Sequence, residues 1–213
     1  MQSLNHAVAS GKVLYLGISD SPAWVVSKAN QYARDHGLTQ FSVYQGQWSA
    51  ASRDFEREII PMTKAEGMSL MPWGALGGGA FKTSAQRKDT SGRKLGDLSK
   101  EVLAVSGVLE EIAREKGTEI TSVAIAYVMQ KAAYVFPIVG GRTVEHLRLN
   151  IEALGVELSS EEVKRIEAAA HFELGFPHGM IGENAKSWLN DIGGHFKYVE
   201  DVKVRLFFWV RKY

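Results

Sequence analysis

Gly140–Gly141–Arg142–Thr143 joins a segment that reads as a buried strand to one that reads as a helix. A helix start offers unpaired N–H groups and the positive end of its dipole, so this junction suits an anion. Arg142, His146 and Asn150 recur at four-residue spacing. They lie opposite an apolar stripe of Val144, Leu147, Ile151 and Leu154, so all three can face one ligand. Arg142 and Asn150 are ~12 Å apart along a helix axis at 1.5 Å per residue. One phosphate cannot touch both, whereas an extended phosphorylated ligand such as an adenine ribonucleotide can. The alternative is a solvated helix face.

Other candidates are more ambiguous. Trp73, at the end of an apolar run and before a glycine loop, is either a stacking platform or core packing. Gln45 sits inside VYQGQW, and an amide in a buried strand needs a partner in another side chain, a water or a ligand. Ser19–Asp20 ends an earlier run and is a turn, a cap region or part of a site. Gly77–Gly78–Gly79 follows a strand but matches neither a dinucleotide fingerprint nor a Walker loop. It reads as a flexible turn or a phosphate cradle. The six histidines lack metal-ligand spacing, and no GxSxG elbow is present. With no cysteine there is no disulfide, thiol nucleophile or Cys-ligated zinc, which fits a reducing compartment.

These residues hang on a regular alternation of elements. Val13–Ser19, Phe41–Trp48, Met68–Leu76 and Tyr134–Gly140 are near-continuous apolar runs, the pattern of parallel strands buried on both faces. Helical patterns lie between and after them. Pro22–His36 ends at Gly37, Ser52–Glu66 ends at Gly67 with a kink expected at Pro61, and Ser99–Lys116 ends at Gly117. Thr121–Lys131, the amphipathic Thr143–Leu154 and a helix opened by Ser159–Ser160–Glu161–Glu162 follow. The first three strands start about 27 residues apart, close to a βαβ unit. The class is α/β with a parallel sheet and right-handed connections. Residues 77–96 form a long loop after the third strand, where such folds place function. The terminal VRLFFWVRKY is a basic–aromatic run expected to dock on its own fold.

The 213 residues are 45% apolar and 23% charged, an ordinary globular balance that rules out wholesale disorder. A net charge of +1 argues against a large nucleic-acid footprint. No apolar run approaches the ~20 residues of a membrane span. The first residues, MQSLNHAVASGK, lack signal-peptide character and read as the inside of an amphipathic helix with Leu4 and Val8. The cytosol is the expected location. No linker interrupts the chain, so residues 1–213 are read as one domain: 1–158 with the candidate ligand motifs, and 159–213 a C-terminal helix and tail.

Taken together, GKVLYLGISDSPAWVVSKAN, FSVYQGQWSAASRDFEREIIPM, MPWGALGGGAF and PIVGGRTVEHLRLNIEAL resemble the aldo-keto reductases. More narrowly, they are similar to the fungal aryl-alcohol dehydrogenase and norsolorinic-acid-reductase branch. The resemblance runs from Met1 to about Phe176. It implies a TIM-type (β/α)8 barrel that binds extended NADPH at the C-terminal strand ends. By the same resemblance, Ser19, Asp20 and Gln45 would hold the nicotinamide carboxamide, and Trp73 would stack on its ring. Gly74, Leu76 and Gly78 would line the pyrophosphate and ribose. Gly140, Gly141, Arg142, His146 and Asn150 would hold the adenosine 2′-phosphate and adenine. Asp20 stands where many relatives have Asn.

The four strands correspond to strands 5–8 of that barrel, so the expectation is an incomplete (β/α) barrel with a C-terminal extension. The family's Asp, Tyr, Lys and His tetrad belongs to the first four strands, and no residue here matches it. No catalytic residue is therefore carried over. The expected activity is NADP(H)-dependent oxidation or reduction of an aromatic or polyketide alcohol or carbonyl, in fungal secondary metabolism. The alternatives are a cofactor-binding pseudoenzyme and a non-redox dehydratase or isomerase using the barrel mouth. Two open apolar edges imply a homodimer or a partner supplying the other half barrel.

Overall fold

The computed structural model describes residues 1–88 and 96–181. Within them, α1 (Gln2–Ala9) leads into β1 (Leu16–Ser19), α2 (Ala23–Asp35), β2 (Phe41–Gln47), α3 (Ile59–Glu66) and β3 (Ser69–Trp73). Helices α4 (Lys100–Lys116), α5 (Ile120–Lys131), α6 (Val144–Glu152), α7 (Ser160–Ala168) and the short α8 (His178–Ile181) follow. Short 3₁₀ turns stand at Asp54–Glu56, Gly77–Gly79, Gln86–Lys88 and Ala153–Gly155.

The strands form one parallel sheet in the order β1-β2-β3, with Ser19 opposite Gln45 and Gln47 opposite Trp73. The fourth expected strand is only partly realised. Val135 bridges Leu70 in parallel, and three backbone bonds tie residues 134–138 to β3. The run is otherwise irregular: Tyr134 has φ 55°, and Pro137 has no N–H to donate.

The sheet is buried on one face only, which corrects the expectation of two buried faces. Tyr44, Trp48, Leu70 and Val135 point to the helices and join Val26, Leu109, Ile112, Val123 and Tyr127 in the core. By strand alternation the other face carries Tyr15, Ser19, Gln45, Gln47, Met71, Trp73 and Phe136. Tyr15 is 77% exposed and Phe136 43%, so that face is open. The stripe on α6 is also uncovered, with Val144 69% and Leu147 57% exposed. Its amphipathic period is real, but no described residue covers it.

Local signals explain most helix boundaries. Ser99 accepts a bond from the Val102 N–H to start α4, and Gly117 ends it in the left-handed region. Ser159 and Glu162 form a reciprocal capping box on α7. Pro61 does not kink its helix, because it is the third residue of α3, where an N–H has no intrahelical partner. The expected single helix over 52–66 is instead a 3₁₀ turn followed by α3. The long loop after β3 contains two 3₁₀ turns, and its residues 89–95 lie outside the described residues, as does VRLFFWVRKY.

Candidate functional site

Parallel strands bring their C-terminal ends to one side, so Ser19, Gln47 and Trp73 share it, and Gly140 follows the fourth run there. Asp20, just beyond β1, has φ 47°, a conformation that few non-glycine residues adopt and that Asp tolerates better than most. Its N–H donates to the Gln45 carbonyl at 3.0 Å. Its carboxylate accepts from the Ser19 hydroxyl at 3.1 Å and from Trp73 Nε1 at 3.3 Å. The Tyr44 hydroxyl donates to the Ser21 carbonyl at 2.6 Å and accepts its N–H at 3.1 Å, which fixes the turn from the far side. Burial pushes the Tyr44 hydroxyl pKa up, so it remains a neutral donor. Three predicted residues, Ser19, Asp20 and Trp73, are thus one bonded unit.

Gln45 lies beside them on the open face. Its amide is half-buried and has no side-chain partner among the described residues. Next to it, a cleft of about 450 Å³ is lined by Gln47, Ser49, Ala51, Ser52, Trp73, Gly74, Gly77, Gly78 and Val102. Gly74, Gly77 and Gly78 have φ of 77°, 62° and 63°, so the loop wraps the cleft in a shape that side chains other than glycine resist. The Leu76 carbonyl accepts the Gly79 N–H at 3.0 Å inside the same loop.

The second predicted group is built differently. Thr143 caps α6 by accepting the His146 N–H at 3.2 Å. Arg142 therefore precedes the helix, and only His146 and Asn150 of the expected row ride on it. His146 Nδ1 accepts the Arg142 N–H at 3.1 Å, folding the glycine turn back on the helix. A Cβ on Gly141 would come within 2.6 Å of the His146 Cβ, so this close return requires glycine. A Cβ on Gly140 or Gly78 would meet nothing within 4 Å, so both backbones border open space. The Arg142 guanidinium is exposed and makes no ion pair among the described residues.

Sequence reasoning missed a buried polar knot beneath the cleft wall. Glu56 Oε1 accepts from Trp48 Nε1 at 3.1 Å, Arg53 Nε at 3.0 Å and the Tyr127 hydroxyl at 3.3 Å. Its Oε2 accepts from Arg53 Nη2 at 2.8 Å and lies 3.6 Å from Lys131 Nζ. Glu167 of α7 joins through Tyr127 at 3.3 Å and an ion pair with Lys131. Burial alone would raise the Glu56 pKa, but the Arg53 bonds and Lys131 charge outweigh it and hold the carboxyl below its ordinary range. The Tyr127 hydroxyl is pushed well up by burial and by the Glu56 charge. The only hint in the sequence was Arg53 three residues before Glu56, a spacing that also fits a surface ion pair. Nor did the sequence reveal Gln47, Ser49, Ser52 and Val102 as cleft lining.

Among the described residues no cluster of His, Asp and Glu could hold a metal ion, and no helix is long and apolar enough to cross a membrane.

A parallel sheet flanked by helices, with its polar residues gathered at the C-terminal strand ends, is a plan shared by the α/β folds, (β/α) barrels among them. Residues 1–171 match the Aldo/keto reductase family, and the chain belongs to that family. It is 62% identical over 185 residues to norsolorinic acid reductase B of Dothistroma septosporum, covering 85% of this chain and 47% of that protein. It is 51% identical over 211 residues to an aryl-alcohol dehydrogenase of Pestalotiopsis microspora, covering 95% of this chain and 55% of that one. A thermostable aldo-keto reductase solved with the inhibitor epalrestat superposes with a TM-score of 0.62 at 24% identity, over 79% of this chain and 53% of that chain. The chain spans about half the length of the curated relatives it matches.

Proposed function

We propose that this chain is the cofactor-binding half barrel of an NADP(H)-dependent oxidoreductase, acting on an aromatic or polyketide alcohol or carbonyl. One observation carries the reading: a bonded Ser19–Asp20–Trp73 unit, a glycine-lined cleft and an exposed arginine at a helix start gather at one end of a parallel sheet. The names of the relatives, norsolorinic acid reductase and aryl-alcohol dehydrogenase, support the substrate class.

The residues fit the cofactor. Open backbone at Gly78 and Gly140 leaves room for an extended diphosphate, and the Arg142 guanidinium is available for a phosphate monoester. Trp73 offers a ring whose edge is already anchored by Asp20, so stacking would cost little ordering. Gln45 and Ser19 would orient the carboxamide, with Asp20 accepting from its amide N–H. Gly74 and Leu76 would border the pyrophosphate and ribose, and Gly141, His146 and Asn150 the adenosine end. When bound, NADPH supplies a hydride.

Carbonyl reduction also needs a proton donor. Asp20 is engaged by two donors, Tyr44 is committed to Ser21, and Tyr127 is buried against two carboxylates. We propose that the donor comes from what covers the open sheet face, in a homodimer or from a partner half barrel. We place the protein in the cytosol, which the lack of cysteine supports. The engagement of those three hydroxyl and carboxyl groups also favours a second reading, a cofactor-binding protein without reductase chemistry.

Titration with NADPH, followed by nicotinamide fluorescence and Trp quenching, tests the proposal. Saturable binding that weakens in Arg142→Ala is expected; a folded protein that does not bind overturns it. Turnover of an aromatic aldehyde separates the two readings. Light scattering should find a dimer, and a well-folded monomer would exclude the homodimer.

A further inference from the structure

The wall of the cleft is a short turn. Ser49 and Ser52 exchange backbone bonds at 3.1 and 3.2 Å, and Ser49 Oγ accepts the N–H groups of Ala51 and Ser52 at 3.2 and 3.1 Å. Both ends of this turn are held by one carboxylate. Trp48 on one side and Arg53 on the other donate to Glu56, which is itself tied to Tyr127 of α5. The Trp48 ring stacks on Phe55, with centroids 5.5 Å apart, and closes the bracket from below.

The bracket reaches outward to the segment after α7. The guanidiniums of Arg53 and Arg57 stand 4.5 and 4.8 Å from the centre of the Phe172 ring. Arg57 Nε donates to the Glu173 carbonyl at 2.8 Å, and His178 pairs with Glu58 at 2.8 Å. Arg53 thus has one partner under the cleft wall and another on the strap 171–178. A guanidinium is planar and rigid, so fixing its face on an aromatic ring also fixes the direction of its N–H bonds.

We infer that Glu56 and Phe172 are positioning residues: through Arg53 they hold the Ser49–Ser52 wall in the shape that receives the ligand. This inference rests on the cleft being the cofactor site proposed above. Neither residue lines the cleft, so neither acts by touching a ligand there. Glu56 supplies the fixed point inside the fold. Phe172 supplies it from the strap, coupling the C-terminal segment to the cleft.

The test is amide hydrogen exchange of the full chain over residues 48–53, with β2 as the internal reference, paired with NADPH titration. Phe172→Ala should raise exchange at 48–53 and weaken NADPH by about five- to tenfold, the scale of two partly buried cation–π contacts. Exchange in β2 should not change. Phe172→Tyr, which keeps the ring, should restore both. Glu56→Gln should raise exchange at 48–53 further, and by more than it raises exchange in β2. Unchanged exchange at 48–53 in folded Phe172→Ala and Glu56→Gln would overturn the inference, as would an equal rise in β2. If the wild-type chain does not bind NADPH, the functional reading falls and the exchange comparison still decides this one.

Discussion

The two ends of the candidate site are held by different physics. At the Trp73 end, the cleft wall leans on a buried carboxylate with four protein donors around it and on aromatic rings packed into the core. At the Arg142 end, α6 has no buried residue, and a threonine cap and one histidine bond shape the turn. The first end is over-determined, so disturbing it should damage folding and binding together. The second is determined locally, so disturbing it should damage binding with little loss of stability. The contrast suits a ligand whose reactive ring needs exact placement and whose phosphate end needs mainly charge.

The largest expected effect is at Glu56. Glu56→Ala leaves Arg53 and Lys131 in a half-buried site to share the Glu167 carboxylate alone, and should cost about 3 kcal/mol in urea unfolding. The same replacement at Arg142 should stay within about 0.5 kcal/mol. Equal losses would erase the contrast.

Two glycines sharpen it further. A Cβ on Gly46 would sit 2.7 Å from Phe55 Cε2 and 3.0 Å from Tyr44 Cε1, both in rings fixed by the core. Gly46→Ala should cost about 2 kcal/mol by overpacking. Gly141→Ala meets a similar clash at 2.6 Å, but in an exposed turn that can open. It should cost under about 1 kcal/mol of stability, the scale of one exposed hydrogen bond, yet sharply reduce NADPH affinity. Thermal unfolding and titration of the pair separate the two effects.

Acid should also act on the first end. A carboxyl held below its unfolded pKa adds stability that is complete above the unfolded value and is lost as pH falls through the folded one. Glu56 is such a group, so the chain should weaken below the ordinary carboxylate range, near pH 4.5. Unfolding free energies at neutral pH and at pH 4 should differ less in Glu56→Gln than in the wild type. Removal of the Thr143 cap is the most local change: Thr143→Ala should cost about 1 kcal/mol, confined to α6. Hydrogen exchange of α6 alone would register it.

Much of this was legible in the sequence. The βαβ alternation, the helix ends at Gly67 and Gly117 and the helix starts near Ser99 and Ser159 depend on neighbours a few residues away, and the structure keeps all of them. The candidate residues Ser19, Asp20 and Trp73 come together because a parallel sheet gathers its C-terminal ends whatever covers it. The fourth strand was overread, since β-branched residues there conceal Pro137 and the left-handed Tyr134.

Periodicity says that a residue has a buried-type side chain, not that something is present to bury it. That is why the α6 stripe and the open face of the sheet looked like core in the sequence and are exposed in the fold. Likewise, Glu56 and Tyr127 stand 71 positions apart. Only tertiary packing could bring them together and make a lone acidic residue the support of the cleft. The sequence by itself determined the elements, their order and the strand-end residues, because those follow from local sterics, capping and hydrogen bonding. The tertiary structure decided which faces are covered and which charges are buried, because both depend on contacts between segments distant in the chain.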